Sequence, residues 1–191
     1  MSDKTRPLTF GVIADTHIPD RVKHLPGAIL SALEHALVDQ ILHAGDAANW
    51  KVVRQLEKIA PVTIVQGNRD WLLGMPFPRY ITFTVHNRKI TLTHGHRSML
   101  QYLVDKWAYI RRGYRFERYY QHLDRDFPDA DVIIFGHTHH QLAKWIGGRL
   151  FYNPGAAYPC EHNHYQPEFG IISITSEGII RTAHFKQGSG Q

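Results

Sequence analysis

Residues 8–66 alternate three apolar, β-like runs with two stretches of helical periodicity, and every run ends in a short polar motif. The runs LTFGVIA, QILHA and VTIVQ lead into Asp15-Thr16-His17, Gly45-Asp46 and Gly67-Asn68. Between them, Pro26 opens a helical stretch with Ile29, Leu30, Leu33 and Leu37 on one stripe. Asn49 stands at an N-cap position ahead of Val52, Val53, Leu56 and Ile59. A βαβαβ order is the pattern of a parallel sheet. Open sheets of that kind bind ligands beyond the carboxyl ends of their strands. The polar motifs fall at those ends.

The second half is richer in strands. Residues 79–86 and 89–94 predict a hairpin turning at 86–88, followed by a helical stripe of Leu100, Leu103, Val104, Trp107 and Ile110. A further helical pattern, Phe116, Tyr120 and Leu123, follows Gly113. Residues 131–135 read as a strand, 143–146 and 149–153 flank Gly147-Gly148, and 169–175 pairs with 178–185 around Ser176-Glu177-Gly178. The expected architecture is therefore α/β: two sheets in a sandwich with helices outside. It is read as one domain over 1–191, with the polar stretch 186–191 a disordered tail. Two more motifs follow strands here, His94-Gly95-His96 after ITLT and Gly136-His137-Thr138-His139 after DVIIF.

Carboxylate, imidazole and amide side chains are ligands for hard-to-borderline divalent metals. Asp15 and His17 are separated by one residue, so both can serve one ion, and the two oxygens of Asp46 can bridge a pair. Asn68, His94, His137 and His139 complete the candidate set. Each motif alone is an ordinary loop. Their joint occurrence at strand ends is not.

In these motifs the chain resembles the calcineurin-like metallophosphoesterases, in their small single-domain phosphodiesterase branch. D-x-H, G-D, G-N-x-D, H-G-H and G-H-T-H stand in the family's order, and Asn153-Pro154-Gly155 resembles its N-P-G turn. The resemblance implies a four-layer αββα sandwich of two mixed sheets flanked by helices. It implies two divalent ions, one held by Asp15, His17, Asp46 and His139, the other by Asp46, Asn68, His94 and His137. A hydroxide bridging them would attack phosphorus in a small phosphodiester or phosphomonoester, with nucleic acid among the candidate substrates. Mn²⁺ suits the mixed ligand set best, and Zn²⁺, Fe and Ni²⁺ are chemically allowed. Many relatives carry histidine after the motif asparagine to protonate the leaving oxygen, whereas this chain has Arg69. Arginine is always charged and donates no proton, but it can grip a phosphate oxygen. Asp70 would orient Arg69, and His96 becomes the candidate acid.

Composition narrows the alternatives. With 43% hydrophobic residues and no apolar run near 20 residues, the chain reads as globular without a membrane span. Its start passes from polar residues straight into a strand, without the pattern of a secretory leader. Cys160 is the only cysteine, which excludes an internal disulfide and fits a cytoplasmic setting. Nothing in sequence near Cys160 marks it as reactive, and it reads as an inert side chain. His43 reads as a hydrogen-bonded core histidine rather than a ligand, and 161–164 as a solvated loop.

A net charge of +5 suits anionic substrates. Between 106 and 118, Lys106, Arg111, Arg112, Arg115 and Arg118 interleave with Trp107, Tyr109 and Tyr114, and Tyr119 and Tyr120 follow. That segment reads first as an amphipathic helix, and alternatively as a nucleic-acid surface, a wall of the site or a contact between copies in a homo-oligomer. A non-catalytic interaction scaffold is the competing function, as in a eukaryotic trafficking subunit similar to this branch.

Overall fold

Two five-stranded sheets lie face to face in the computed structural model, which describes residues 6–96, 111, 113 and 115–187. In the first sheet β1 (Leu8–Ile13), β2 (Gln40–His43) and β3 (Val62–Ile64) run parallel, as the βαβαβ reading requires. β9 (Glu168–Ile174) pairs antiparallel with β1, and β10 (Ile180–Lys186) with β9, giving the order β10-β9-β1-β2-β3. The second sheet has the order β4-β5-β6-β8-β7, from β4 (Tyr80–Val85), β5 (Arg88–Thr93), β6 (Val132–Ile134), β7 (Leu142–Ile146) and β8 (Arg149–Asn153).

Phe10, Val12 and Leu42 from one sheet meet Ile90, Leu92, Ile134 and Tyr152 from the other in a core closed to water. Helices α1 (Gly27–His35) and α2 (Trp50–Leu56) cover the outer face of the first sheet, with Ile29, Leu33, Val52 and Leu56 packed on Ile13 and Ile41. Helix α4 (Phe116–Asp126) covers the second through Phe116, Tyr119 and Leu123, and the short α3 (Asn68–Leu72) follows β3. Burying each such side chain contributes about 1.5–3 kcal/mol. The fold is the four-layer αββα sandwich.

Departures from the sequence reading are local. Helix α1 stops at His35, and Leu37, expected on its apolar stripe, turns to φ 48° and lies 80% exposed. Asn49 caps α2 as expected, accepting the Lys51 N–H at 2.9 Å. In α4 Tyr119 takes the buried position assigned to Tyr120, which packs at the cluster's edge, so both tyrosines serve the core. Lys186 is not tail but the last residue of β10, paired with Glu168 at 2.9 Å. The stripe from Leu100 to Ile110, and Lys106, Trp107, Tyr109, Arg112 and Tyr114 of the basic segment, lie outside the described residues. No described helix is long and apolar enough to cross a membrane.

Candidate metal centre

The carboxyl ends of β1, β2 and β3 in one sheet, and of β5 and β6 in the other, open onto the same point. There the candidate ligands meet in an unusual backbone state: Asp15, His17, Asp46, His137 and His139 all have positive φ, between 48° and 69°. Non-glycine residues seldom adopt the left-handed region, and such strain gathers at functional sites. Three motif glycines allow the loops to approach this closely. A Cβ on Gly67 would lie 2.0 Å from Asp46 Oδ1 and 2.4 Å from its backbone N. One on Gly136 would meet Ala44 O at 2.8 Å and Asp15 Oδ2 at 3.0 Å, and one on Gly45 would meet His94 Nδ1 at 2.7 Å.

Several ligands have one atom anchored and another left facing inward. Asp15 Oδ2 accepts the His137 backbone N–H at 3.0 Å, while its buried Oδ1 has no hydrogen-bond partner. Asp46 Oδ1 accepts the Arg69 N–H at 2.8 Å, leaving Oδ2 free to face the cluster. His94 Nδ1 donates to Ala44 O at 2.7 Å, which turns Nε2 inward. The inward atoms converge: His139 Nε2 is 3.4 Å and His17 Nε2 3.8 Å from Asp15 Oδ1. His17 Nε2 and His94 Nε2 each lie 3.6 Å from Asp46 Oδ2, and the buried His17 Nε2 has no hydrogen bond. Asn68 Oδ1 sits 3.1 Å from both His94 Nε2 and His137 Nδ1. With the His94 proton committed to Ala44, Nε2 and Asn68 Oδ1 would face each other as two acceptors, an arrangement that a cation relieves.

Two sets of mutually close ligand atoms result among the described residues, Asp15, His17 and His139 in one and Asp15, Asp46 and His94 in the other. The donor set and its unpartnered buried atoms fit divalent cations. Electrostatics point the same way. Burial works against the Asp15 charge, but His139, His94 and His17 outweigh it and hold the carboxyl well below the usual range. Burial likewise opposes the His139 charge, yet Asp15 pushes that imidazole up to about 10, so the pair is ionised. Burial, reinforced by the Asp15 and Asp70 charges, raises Asp46 to about 6 against the pull of His94. Burial lowers His17 to about 4 and His137 well below its ordinary value.

The loops are fixed from behind. Asp70 is fully buried; its Oδ2 accepts the N–H groups of Asp46 (2.8 Å) and Gly67 (2.9 Å), and its Oδ1 that of Ala48 (2.7 Å). This corrects the expectation that Asp70 orients Arg69. The Arg69 guanidinium is held instead by Asp20, with Nε donating at 2.7 Å. His43 is the buried, hydrogen-bonded histidine expected: Nδ1 accepts the Gly45 N–H at 3.2 Å and Nε2 lies 3.4 Å from Thr16 Oγ1. Asn153 donates to Gly136 O at 2.8 Å and Thr138 Oγ1 at 3.1 Å, which ties the N-P-G turn to the His137–His139 loop.

The 161–164 segment is less solvated than expected, since Asn163 is buried and donates to Ala156 O and Tyr158 O. Tyr158, unmarked by any motif, packs edge-on against the rings of His17 (5.1 Å) and His139 (5.6 Å). Tyr158 Oη lies 3.5 Å from His139 Nδ1, and Cys160 is near enough to help raise the His139 pKa, a proximity that its sequence neighbourhood did not suggest. His96 stands 5.2 Å from the His94 ring and 6.1 Å from that of His137. Burial, with His94 and Arg79, lowers its pKa to about 4.

A family model, the calcineurin-like phosphoesterase superfamily domain, matches residues 8–177. The chain belongs to that superfamily. A probable metallophosphoesterase of Methanothermobacter thermautotrophicus is 35% identical over 179 residues, covering 92% of this chain and 93% of the relative. A phosphodiesterase of Methanocaldococcus jannaschii is 25% identical over 182 residues, with 86% of this chain and 92% of the relative covered. Among solved structures, vacuolar protein sorting 29 from Cryptosporidium parvum superposes with a TM-score of 0.67 at 22% identity. That match covers 95% of this chain and 98% of the other and is a likeness of fold.

Proposed function

We propose that this chain is a divalent-metal-dependent phosphodiesterase acting on a small phosphoester. The observation that carries the reading is the convergence of Asp15 Oδ1, His17 Nε2, Asp46 Oδ2, His94 Nε2 and His139 Nε2, with neighbouring pairs 3.4–4.0 Å apart and two of these atoms buried without hydrogen bonds. Asp15, His17, Asp46 and His139 would hold one ion, and Asp46, Asn68, His94 and His137 the other. Asp46, whose Oδ2 lies 3.6 Å from both His17 Nε2 and His94 Nε2, would be the residue shared by the two ions. Two ions there would supply an activated water and positive charge against the phosphoryl oxygens. Mn²⁺ fits the carboxylate, amide and imidazole mixture best, with Zn²⁺, Fe and Ni²⁺ as competitors.

The chain's own residues then orient the substrate. Arg69, beside Asn68, grips a non-bridging phosphate oxygen without giving up a proton. His96, next to His94 and His137, faces the leaving group. Diester preference is supported by the archaeal phosphodiesterase relative. A free Cys160 supports a cytoplasmic setting.

The test is hydrolysis of bis-p-nitrophenyl phosphate by metal-stripped protein, with and without Mn²⁺, beside Asp46→Asn. Turnover that requires Mn²⁺ and disappears in the variant is expected. No turnover with bound Mn²⁺, Ni²⁺ or Zn²⁺ would favour an interaction scaffold, the reading to which the vacuolar protein sorting 29 fold lends weight.

A further inference from the structure

Beyond the candidate ligands themselves, the Arg69–Asp20 ion pair joins two ligand loops of the centre. Asp20 lies three positions beyond His17, in a turn closed by the Arg21 N–H on His17 O at 2.9 Å. Arg69 follows Asn68, and its backbone N–H is fixed on Asp46 Oδ1. The pair therefore spans from the loop of one proposed ligand to the helix of another. Both side chains are partly open to solvent, 38% for Arg69 and 28% for Asp20, so a ligand can reach them.

The manner of pairing decides the reading. Asp20 Oδ2 takes Nε and Nη2, one edge of the guanidinium fork. A guanidinium has five N–H donors in a rigid plane, so the Nη1 edge keeps donors that no described side chain or carbonyl accepts. An arginine side chain otherwise carries large rotamer freedom, and fixing one edge removes most of it before a second partner arrives. Arg69 is anchored beside the centre by its backbone N–H on Asp46 Oδ1, and its remaining guanidinium donors are open to a further acceptor.

We infer that Asp20 is a positioning residue, holding Arg69 so that its free edge clamps a non-bridging oxygen of the substrate phosphate. The inference rests on the phosphoester reading of the site. It assigns Asp20 to binding and leaves it no part in bond cleavage.

Two readouts on the metal-loaded protein test it. In steady-state hydrolysis of bis-p-nitrophenyl phosphate, Asp20→Asn should raise KM about three- to tenfold while kcat changes less than twofold. Arg69→Gln should raise KM by about tenfold or more, and Arg69→Lys should not restore it, because the planar fork is lost. The double variant should match Arg69→Gln alone, since Asp20 acts only through Arg69. Titration with inorganic phosphate by calorimetry should show the same ranking without turnover. An additive double variant, a fall in kcat equal to the rise in KM, or unchanged phosphate affinity in Asp20→Asn would overturn the inference. A wild type that binds phosphate but hydrolyses nothing would sink the phosphodiesterase reading, and the phosphate titration would still decide the role of Asp20.

Discussion

Asp70→Asn probes the scaffold of the centre without touching a proposed ligand. The wild-type carboxylate accepts three backbone N–H groups, two on Oδ2 and one on Oδ1, in a fully buried setting. Asparagine has the same shape but a single acceptor oxygen. At best it keeps the bonds to Asp46 and Gly67 and turns its NH₂ against the Ala48 N–H, donor to donor. Stranding a buried donor costs roughly 1–3 kcal/mol, and the two retained bonds lose their charge assistance at about 0.5–1 kcal/mol each. The sum is near 3 kcal/mol, or about 6–12 °C in Tm for a chain of this length.

The same N–H groups hold Asp46 and Ala48 at φ 58° and 60°, so their release also frees the proposed bridging ligand. Removing a partner that orients a ligand typically weakens metal binding about 10–100-fold. Thermal unfolding of the metal-free protein and Mn²⁺ competition against a chelator would read the two effects. A Tm within about 2 °C of wild type together with unchanged Mn²⁺ affinity would refute the reasoning.

Gly67→Ala should be worse than its size suggests, because the new methyl would overlap the Asp46 carboxylate, and loss of Mn²⁺ binding in the soluble fraction is the expected result. Metal binding should release protons. His139, raised to about 10, must give up its proton at pH 8, and Asp46, raised to about 6, must give up a further one near pH 5. Calorimetry in buffers of different ionisation enthalpy should therefore show about one proton released per protein at pH 8 and more near pH 5, with affinity rising as pH rises. In the metal-free protein, burial holds His43 neutral with its pKa lowered to about 4. Its contribution to stability is full above the unfolded value near 6.5 and is lost as pH falls toward 4, and His43→Gln should flatten that part of the profile. With Arg69 in place of a proton donor and His96 held neutral by its pKa of about 4, turnover should fall steeply as the leaving group's pKa rises, and a flat dependence across aryl and alkyl diesters would show that His96 or another group donates the proton.

The sequence made the ligand types and their places legible because a parallel strand is a continuous apolar run and its end is marked by the first polar residues. That logic found β1, β2, β3, β5 and β6 and the motif after each. It also found the Asn49 cap, since capping is local chemistry. Partnerships over distance were not legible. Asp70 lies next to Arg69 in sequence, yet its carboxylate reaches back 24 residues to Asp46, while Arg69 reaches 49 residues to Asp20. Tyr158 and Cys160 join His139 only because β8 returns the chain beside β6. The left-handed backbone of five candidate ligands has only a weak signature in residue type: aspartate and histidine are enriched several-fold there, yet both are commoner in other conformations. Leu37 misled for a local reason, since an apolar residue at helical spacing cannot reveal that the helix has already ended.

Anomalous diffraction from crystals grown with Mn²⁺ addresses the central claim most directly. Two peaks per chain are expected, roughly 3.5–4 Å apart, with Asp46 between them, Asp15, His17 and His139 around one, and Asn68, His94 and His137 around the other. A single peak away from Asp46, or none at saturating Mn²⁺, would contradict the account.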